Sequence, residues 1–257
     1  DVVTTGAEPI GILVTIMAPP DSAHEDIGEI MKDVETGAKE LNIGVLGGHT
    51  EFTDTVNQMI LSVTAVGKVK KGNLLQPSRV QIGDDIIITK TAGLEGTAII
   101  AHDKSELLQQ HYGAEFVERA KSFINYISVA KEGRIAAQFG AHAMHDATEG
   151  GVLGALWEMG QAIGKGMVIY EENIPVAEET IAIAKLFNIN PLRLISSGTM
   201  IIISPKGAKL VDELKKHGIN SAVVGKIVDE KGVWLINKAD KTILDPPAAD
   251  ELYKALK

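Results

Sequence analysis

Met144-His145-Asp146-Ala147-Thr148-Glu149-Gly150-Gly151-Val152-Leu153-Gly154-Ala155-Leu156-Trp157-Glu158-Met159 is a polar stretch that ends in paired glycines and runs straight into an apolar helix. A helix start exposes unpaired backbone N–H groups and the positive end of the helix dipole. Adjacent glycines let the backbone approach an anion with no Cβ in the way. Gly150 and Gly151 therefore make a candidate phosphate seat. His145, Asp146, Thr148 and Glu149 put a base, two carboxylates and a hydroxyl on its rim. A capped helix start with no ligand has the same pattern. A short strand at 141–144 enters the loop and a helix at 152–163 leaves it.

Working outward, a second strand–glycine loop–helix unit spans Ile86 to Ala101, with Lys90 closing the strand and Gly93-Leu94-Glu95-Gly96-Thr97 opening the helix. Lys90 either meets a phosphate or ends a strand. The Gly-Lys-Ser/Thr of a Walker loop is absent. Gly47-Gly48-His49-Thr50-Glu51 interrupts a third apolar strand, 43–52. Paired glycines there mark a bulge or a close backbone approach to a ligand. His49 is a metal ligand or a hydrogen-bonded histidine. Helix 22–41 shows an apolar stripe at helical spacing and a Ser22–Glu25 capping box. Strands are expected at 10–17 and 56–69, and the turn-rich segment 73–83 is a domain boundary. Beyond it, helices are expected at 105–110, 115–127, 130–139, 176–187, 205–217 (capped by Ser204) and 248–256. Strands are expected at 167–170, 199–203, 222–228 and 233–237. Hairpins mixed with crossovers predict an α+β, layered α/β fold rather than a Rossmann fold.

The chain of 257 residues has 45% hydrophobic and 23% charged residues, enough to bury one or two cores. A net charge of -9 and 4% aromatics argue against nucleic-acid binding. No cysteine is present, so disulfides, thiolate metal sites and thiol catalysis are closed to these residues. No apolar run is long enough for a membrane helix. A cytoplasmic location is the expectation. Asp1 to Gly6 reads as the last turn of a helix capped by Gly6, so the chain is expected to begin mid-element, as a fragment or processed product.

Set side by side, these stretches resemble the aminoimidazole ribonucleotide synthetase (PurM-like) superfamily. That group also holds selenophosphate synthetase, thiamine-monophosphate kinase and the HypE-type hydrogenase maturation factor. Thr5-Gly6-Ala7-Glu8-Pro9 is similar to the family's Gly-Ala-x-Pro turn, and Leu46 to Glu51 to its Gly-Gly-Asp/Glu-Thr strand. Gly83 to Lys90 with Gly93 to Thr97 is similar to the opening of its second domain. His145 to Gly151, and Asn190-Pro191-Leu192 with Ser197-Gly198, are similar to later loops of that domain. The Thr-Lys-x-x-Gly-x-Glu-Gly-Thr string brings the HypE-like branch nearest.

The resemblance implies two domains: a truncated N-terminal one at 1–72, carrying the dimer sheet and an ATP site, and a C-terminal α/β sandwich at 80–257. It implies a homodimer, ATP, and Mg²⁺ held by acidic residues, for which Asp1 and Glu51 are the candidates here. Gly47, Gly48, His49 and Thr50 would shape the nucleotide strand, with Lys90, Gly150 and Gly151 on phosphate. His145, Asp146 and Thr148 would orient the acceptor. The implied reaction phosphorylates a substrate oxygen to activate a small molecule, with a maturation protein as a possible partner. Three departures stand beside this. Glycine-rich and acidic segments found upstream in the family are missing, His49 replaces an acidic residue, and the tail Tyr253 to Lys257 lacks the cysteine that carries the HypE carbamoyl group. A non-catalytic dimeric module that binds a nucleotide or partner is the alternative. A metallohydrolase using His49, His145 and Asp146 is a third reading.

Overall fold

Two β-sheets divide the protein, whose computed structural model describes residues 1–257. The smaller unit comprises Val2 and Gly6–Leu74. Its central strand β1 (Glu8–Ala18) lies between β2 (Gly44–Phe52), parallel to it, and β3 (Ile60–Lys68), antiparallel. A parallel neighbour needs a crossover, which α1 (His24–Leu41) supplies. Val14, Ile16 and Ala18 alternate along β1 and are buried. Phe52, paired with Ala18 and so on the same face, meets the His24 ring of α1 edge-on at 5.0 Å. The helix covers that face with its Ile27, Ile30, Val34 and Ala38 stripe, each at least half-buried.

The glycines of β2 act on the neighbouring strand. Ile12 pairs with Val45 and Leu13 with Gly47, so Leu46 is the extra residue of a bulge. A Cβ on Gly48 would stand 1.8 Å from the Val14 carbonyl oxygen, so only glycine allows β2 to come this close. The close approach, expected to a ligand, is instead one to β1.

The larger unit comprises Asp1, Val3–Thr5 and Leu75–Lys257. Its strands are β4 (Asp85–Thr89), β5 (Ala143–Ala147), β6 (Gly166–Tyr170), β7 (Thr199–Ser204), β8 (Ser221–Val228), β9 (Val233–Asn237) and β10 (Asp240–Ile243). They run in the order β10-β9-β6-β8-β4-β7-β5, and every pair is antiparallel except β6 with β9. This is the layered α+β architecture expected, with central strands apolar on both faces: Ile86, Ile87 and Ile88 are all fully buried. Ile86, Ile88, Ile201 and Ile203 pack with Val152, Leu156 and Met159 of α6 (Gly151–Ile163). Met200 points to the opposite face, toward Gly133 of α5 (Ala130–Phe139). There α8 (Gly207–Lys216) also lies, against β8. A separate helical layer joins α2 (Leu94–Asp103), α3 (Ser105–Tyr112), α4 (Ala114–Lys121), α7 (Glu178–Phe187) and α9 (Leu252–Ala255).

Several expected boundaries move. Helix α1 begins after Ala23 with no side-chain cap, so the Ser22–Glu25 box does not form. The helix expected at 115–127 ends at Lys121 and continues as a 3-10 turn, Ser122–Tyr126. The helix after Ser204-Pro205 starts two residues late, at Gly207. The terminal helix shrinks to 252–255 because Pro246-Pro247 and Asp250 hold an extended strap before it. Strand β10 was not expected; its sequence, Asp240-Lys241-Thr242-Ile243, is too polar to read as one.

Candidate functional site

Strand β5 extends three residues further than expected, so His145 and Asp146 lie on it rather than in the loop. Alternation puts Ala143, His145 and Ala147 on one face, and both alanines belong to the core beneath α6. His145 therefore meets α6, where its Nε2 lies 2.8 Å from Glu158 Oε2. A carboxylate only accepts, so Nε2 carries the proton. Nδ1 lies 3.9 Å from Asp146 Oδ1. The two carboxylates face opposite nitrogens of the ring and do not converge on one point. Thr148 and Glu149 are exposed beyond them.

The glycine loop is held from two sides by the chain itself. Gly150 (φ 77°) and Gly151 (φ 65°) both adopt the left-handed conformation. A Cβ on Gly151 would come within 2.6 Å of the Leu192 carbonyl oxygen, so the glycine is required by the 192–194 backbone packed against it. The Gly150 N–H donates to Asp250 Oδ2 at 2.7 Å. Asp250 is buried, and its Oδ1 also accepts from Leu252 N–H (2.8 Å) and Ile195 N–H (3.2 Å). The start of α6 thus holds an internal carboxylate, and an external phosphate at Gly150 would have to displace it. Ser196 N–H donates to the Thr148 carbonyl and its Oγ accepts from Gly93 N–H, tying the central loop to the second glycine loop.

Lys90 sits at φ 54°, unusual for a residue with a side chain. Its Nζ donates to the carbonyls of Gly198 (2.7 Å), Ser128 (2.8 Å) and Tyr126 (3.1 Å). Glu132 Oε1 stands 2.5 Å away as the counter-ion, on a side chain only 2% exposed. Three protons already directed at three carbonyls make the Glu132 contact one of charge. Lys90 is thus engaged by four oxygens of its own chain.

In the smaller unit, His49 Nε2 and Glu51 Oε2 are 3.2 Å apart and exposed. Register places both on the Thr15–Met17 face of the sheet. Asp1 belongs to the larger unit. No trio of His, Asp or Glu side chains is placed to hold a metal ion, which takes away the ligand set a metallohydrolase needs. No helix is long and apolar enough to cross a membrane.

Glu158 and Asp250 were missed from sequence. Glu158 had a signal, being the only charged residue of α6. Nothing in the sequence ties Asp250 to a loop a hundred residues earlier.

A layered α/β unit carrying two glycine loops, together with a separate small three-stranded sheet that holds a Gly-Gly strand, defines a two-unit class of protein. Residues 1–69 match the AIR synthase related protein N-terminal domain and residues 81–236 the C-terminal domain, so the chain belongs to the AIR synthase related family. Its curated relatives place it in the HypE-type branch. A protein of Methanocaldococcus jannaschii assigned to hydrogenase expression and formation is 28% identical, over 98% of this chain and 74% of its own. The carbamoyl dehydratase HypE of Azotobacter vinelandii is 25% identical, over 90% of this chain and 67% of its own. Solved structures share the fold. Escherichia coli HypE superposes with a TM-score of 0.81 at 20% identity, covering 99% of this chain and 78% of that one. A HypE structure in complex with ATP gives 0.76 at 17%, with 99% and 78% coverage. The HypE–HypF complex gives 0.77 at 21%, with 95% and 80% coverage.

Proposed function

We propose that the protein is an ATP-dependent, Mg²⁺-requiring enzyme of the HypE-type branch that activates a substrate oxygen by phosphorylation. The observation that carries this is the His145–Glu158–Asp146 cluster at the rim of the glycine loop, in a chain whose relatives include carbamoyl dehydratases and an ATP-bound HypE. His145, its ring oriented by Glu158, offers Nδ1 as the acceptor for a substrate proton. Asp146 and Thr148 orient the group that gives it up. In the smaller unit Gly47, Gly48, His49 and Thr50 mark the strand proposed for the nucleotide; in the larger unit Gly150 and Gly151 give the loop beside His145 its left-handed turn. In this arrangement Lys90 holds the 126–128 and 198 backbone in place.

For Mg²⁺ the donor set fits only an ion that keeps waters and phosphate oxygens, because Glu51 and Asp1 are single carboxylates outside any acidic cluster. Bound there, the ion would neutralise phosphate charge. A homodimer through the smaller sheet is part of the proposal. Leu61 (47% exposed) and Val63 (50%) share one face of β3 and are too apolar to leave in water. A maturation partner is the further expectation, following the HypE–HypF pairing of the relatives.

A second reading, a dimeric module that binds nucleotide or partner without turnover, is favoured by one observation. Lys90 Nζ and Gly150 N–H, both expected on phosphate, are engaged within the chain. ATP turnover separates the two. Phosphate release above background, lost in His145→Ala and Asp146→Ala but with folding intact, supports the enzyme. Saturable binding with no turnover supports the module.

A further inference from the structure

Strand β5 is the edge of the larger sheet, and the small side chains of Ala143 and Ala147 leave room around the His145 ring. A cavity of about 300 Å³ lies there. Its apolar wall includes Leu75, Pro77, Ala143, Met159 and Ala162, and its polar lining is the His145–Glu158 pair with Gln76, Thr4 and Thr5. The volume is at the small end of ligand pockets, room for one ring or a short branched chain.

Charge decides the class of ligand. The Nε2 proton is directed at one oxygen of Glu158, and the second oxygen of that carboxylate is open to a donor. No lysine or arginine lines the cavity. An anion would face the Glu158 carboxylate with no lysine or arginine to offset it, whereas an ammonium would gain a charge-assisted hydrogen bond. The Met159 side chain gives an adaptable, polarizable wall suited to the apolar part of such a ligand. We propose that this cavity binds a small organic amine, its apolar body against Met159 and Ala162 and its ammonium on Glu158. As the identity of the substrate at this loop, the amine rests on the enzymatic reading above. As a binding site it is tested without nucleotide, so the two can fail separately.

The test is methyl NMR of the intact protein labelled at its 7 methionines, titrated with benzylamine, benzyl alcohol and benzoate. Benzylamine should shift the Met159 methyl saturably and leave Met17 and Met31 of the smaller unit in place. Benzoate should shift none. Glu158→Gln should weaken benzylamine about tenfold and leave benzyl alcohol unchanged, with the unperturbed methyls reporting that the variant is folded. Equal binding of benzoate, no shift of the Met159 methyl with benzylamine, or wild-type affinity in Glu158→Gln would each overturn the proposal.

Discussion

Replacing Asp250 with alanine removes one carboxylate that accepts three backbone hydrogen bonds, from Gly150, Leu252 and Ile195. Each N–H left without a partner in a buried place costs about 1–3 kcal/mol. The adjoining cavity lined by Glu149, Gly150 and Tyr253 lets water reach part of the gap, which pulls the sum toward the low end. The expected loss is about 3 kcal/mol. For a unit of this size that lowers Tm by about 6–12 °C. Asp250→Asn keeps one acceptor oxygen but turns an NH₂ toward an N–H, so it should fall between wild type and alanine. Tryptophan fluorescence is a clean probe, because both tryptophans, Trp157 and Trp234, lie in the larger unit. If Asp250→Ala melts within 2 °C of wild type, about what a 1 kcal/mol change gives, the carboxylate is not what satisfies the start of α6.

Other outcomes follow from particular contacts. Gly151→Ala should cost about 2–4 kcal/mol in urea denaturation, because its Cβ meets the Leu192 carbonyl, whereas Gly140→Ala, also at positive φ but with nothing near its Cβ, should cost about 1 kcal/mol. Lys90→Met should destabilise by about 3–5 kcal/mol by leaving Glu132 buried and uncompensated; the double variant Lys90→Met/Glu132→Leu should recover much of this, and a double variant as unstable as the single one would refute that cause. Leu61→Glu with Val63→Glu should shift the light-scattering mass to that of one 27.4 kDa chain, and an unchanged mass would remove the smaller sheet as the interface. Glu213 is held below the ordinary carboxylate range, first by its hydrogen bond from Lys216. A depressed folded-state value contributes stability above the unfolded pKa and loses it as pH falls. The stability gap between wild type and Glu213→Gln, small because the pair is exposed, should therefore be present at neutral pH and close below about pH 4.

Much of the fold was legible because it rests on periodicity. The buried Ile86–Ile88 and Thr199–Ile203 runs, the α1 stripe and the glycine-ended α6 all follow from side-chain spacing, which local sequence carries. The bulge at Leu46 was legible too, since paired glycines inside a strand have few other uses. Partners were not legible. Lys90 looked available for phosphate because nothing nearby in sequence could engage it, yet its ligands come from residues 126, 128, 132 and 198. Gly150 looked open for the same reason, and Asp250 closes it. The His145–Glu158 pair was half-readable: a lone charge in an apolar helix invites the question of what it faces, but only the extra residues of β5 bring the ring to it.

The most direct test of the central claim is a calorimetric titration of ATP with Mg²⁺ into the protein, with and without a metal chelator. The account predicts saturable binding of about one nucleotide per chain, abolished by chelation of the metal. Absence of binding would contradict it and leave the dimeric interaction module as the function of this fold.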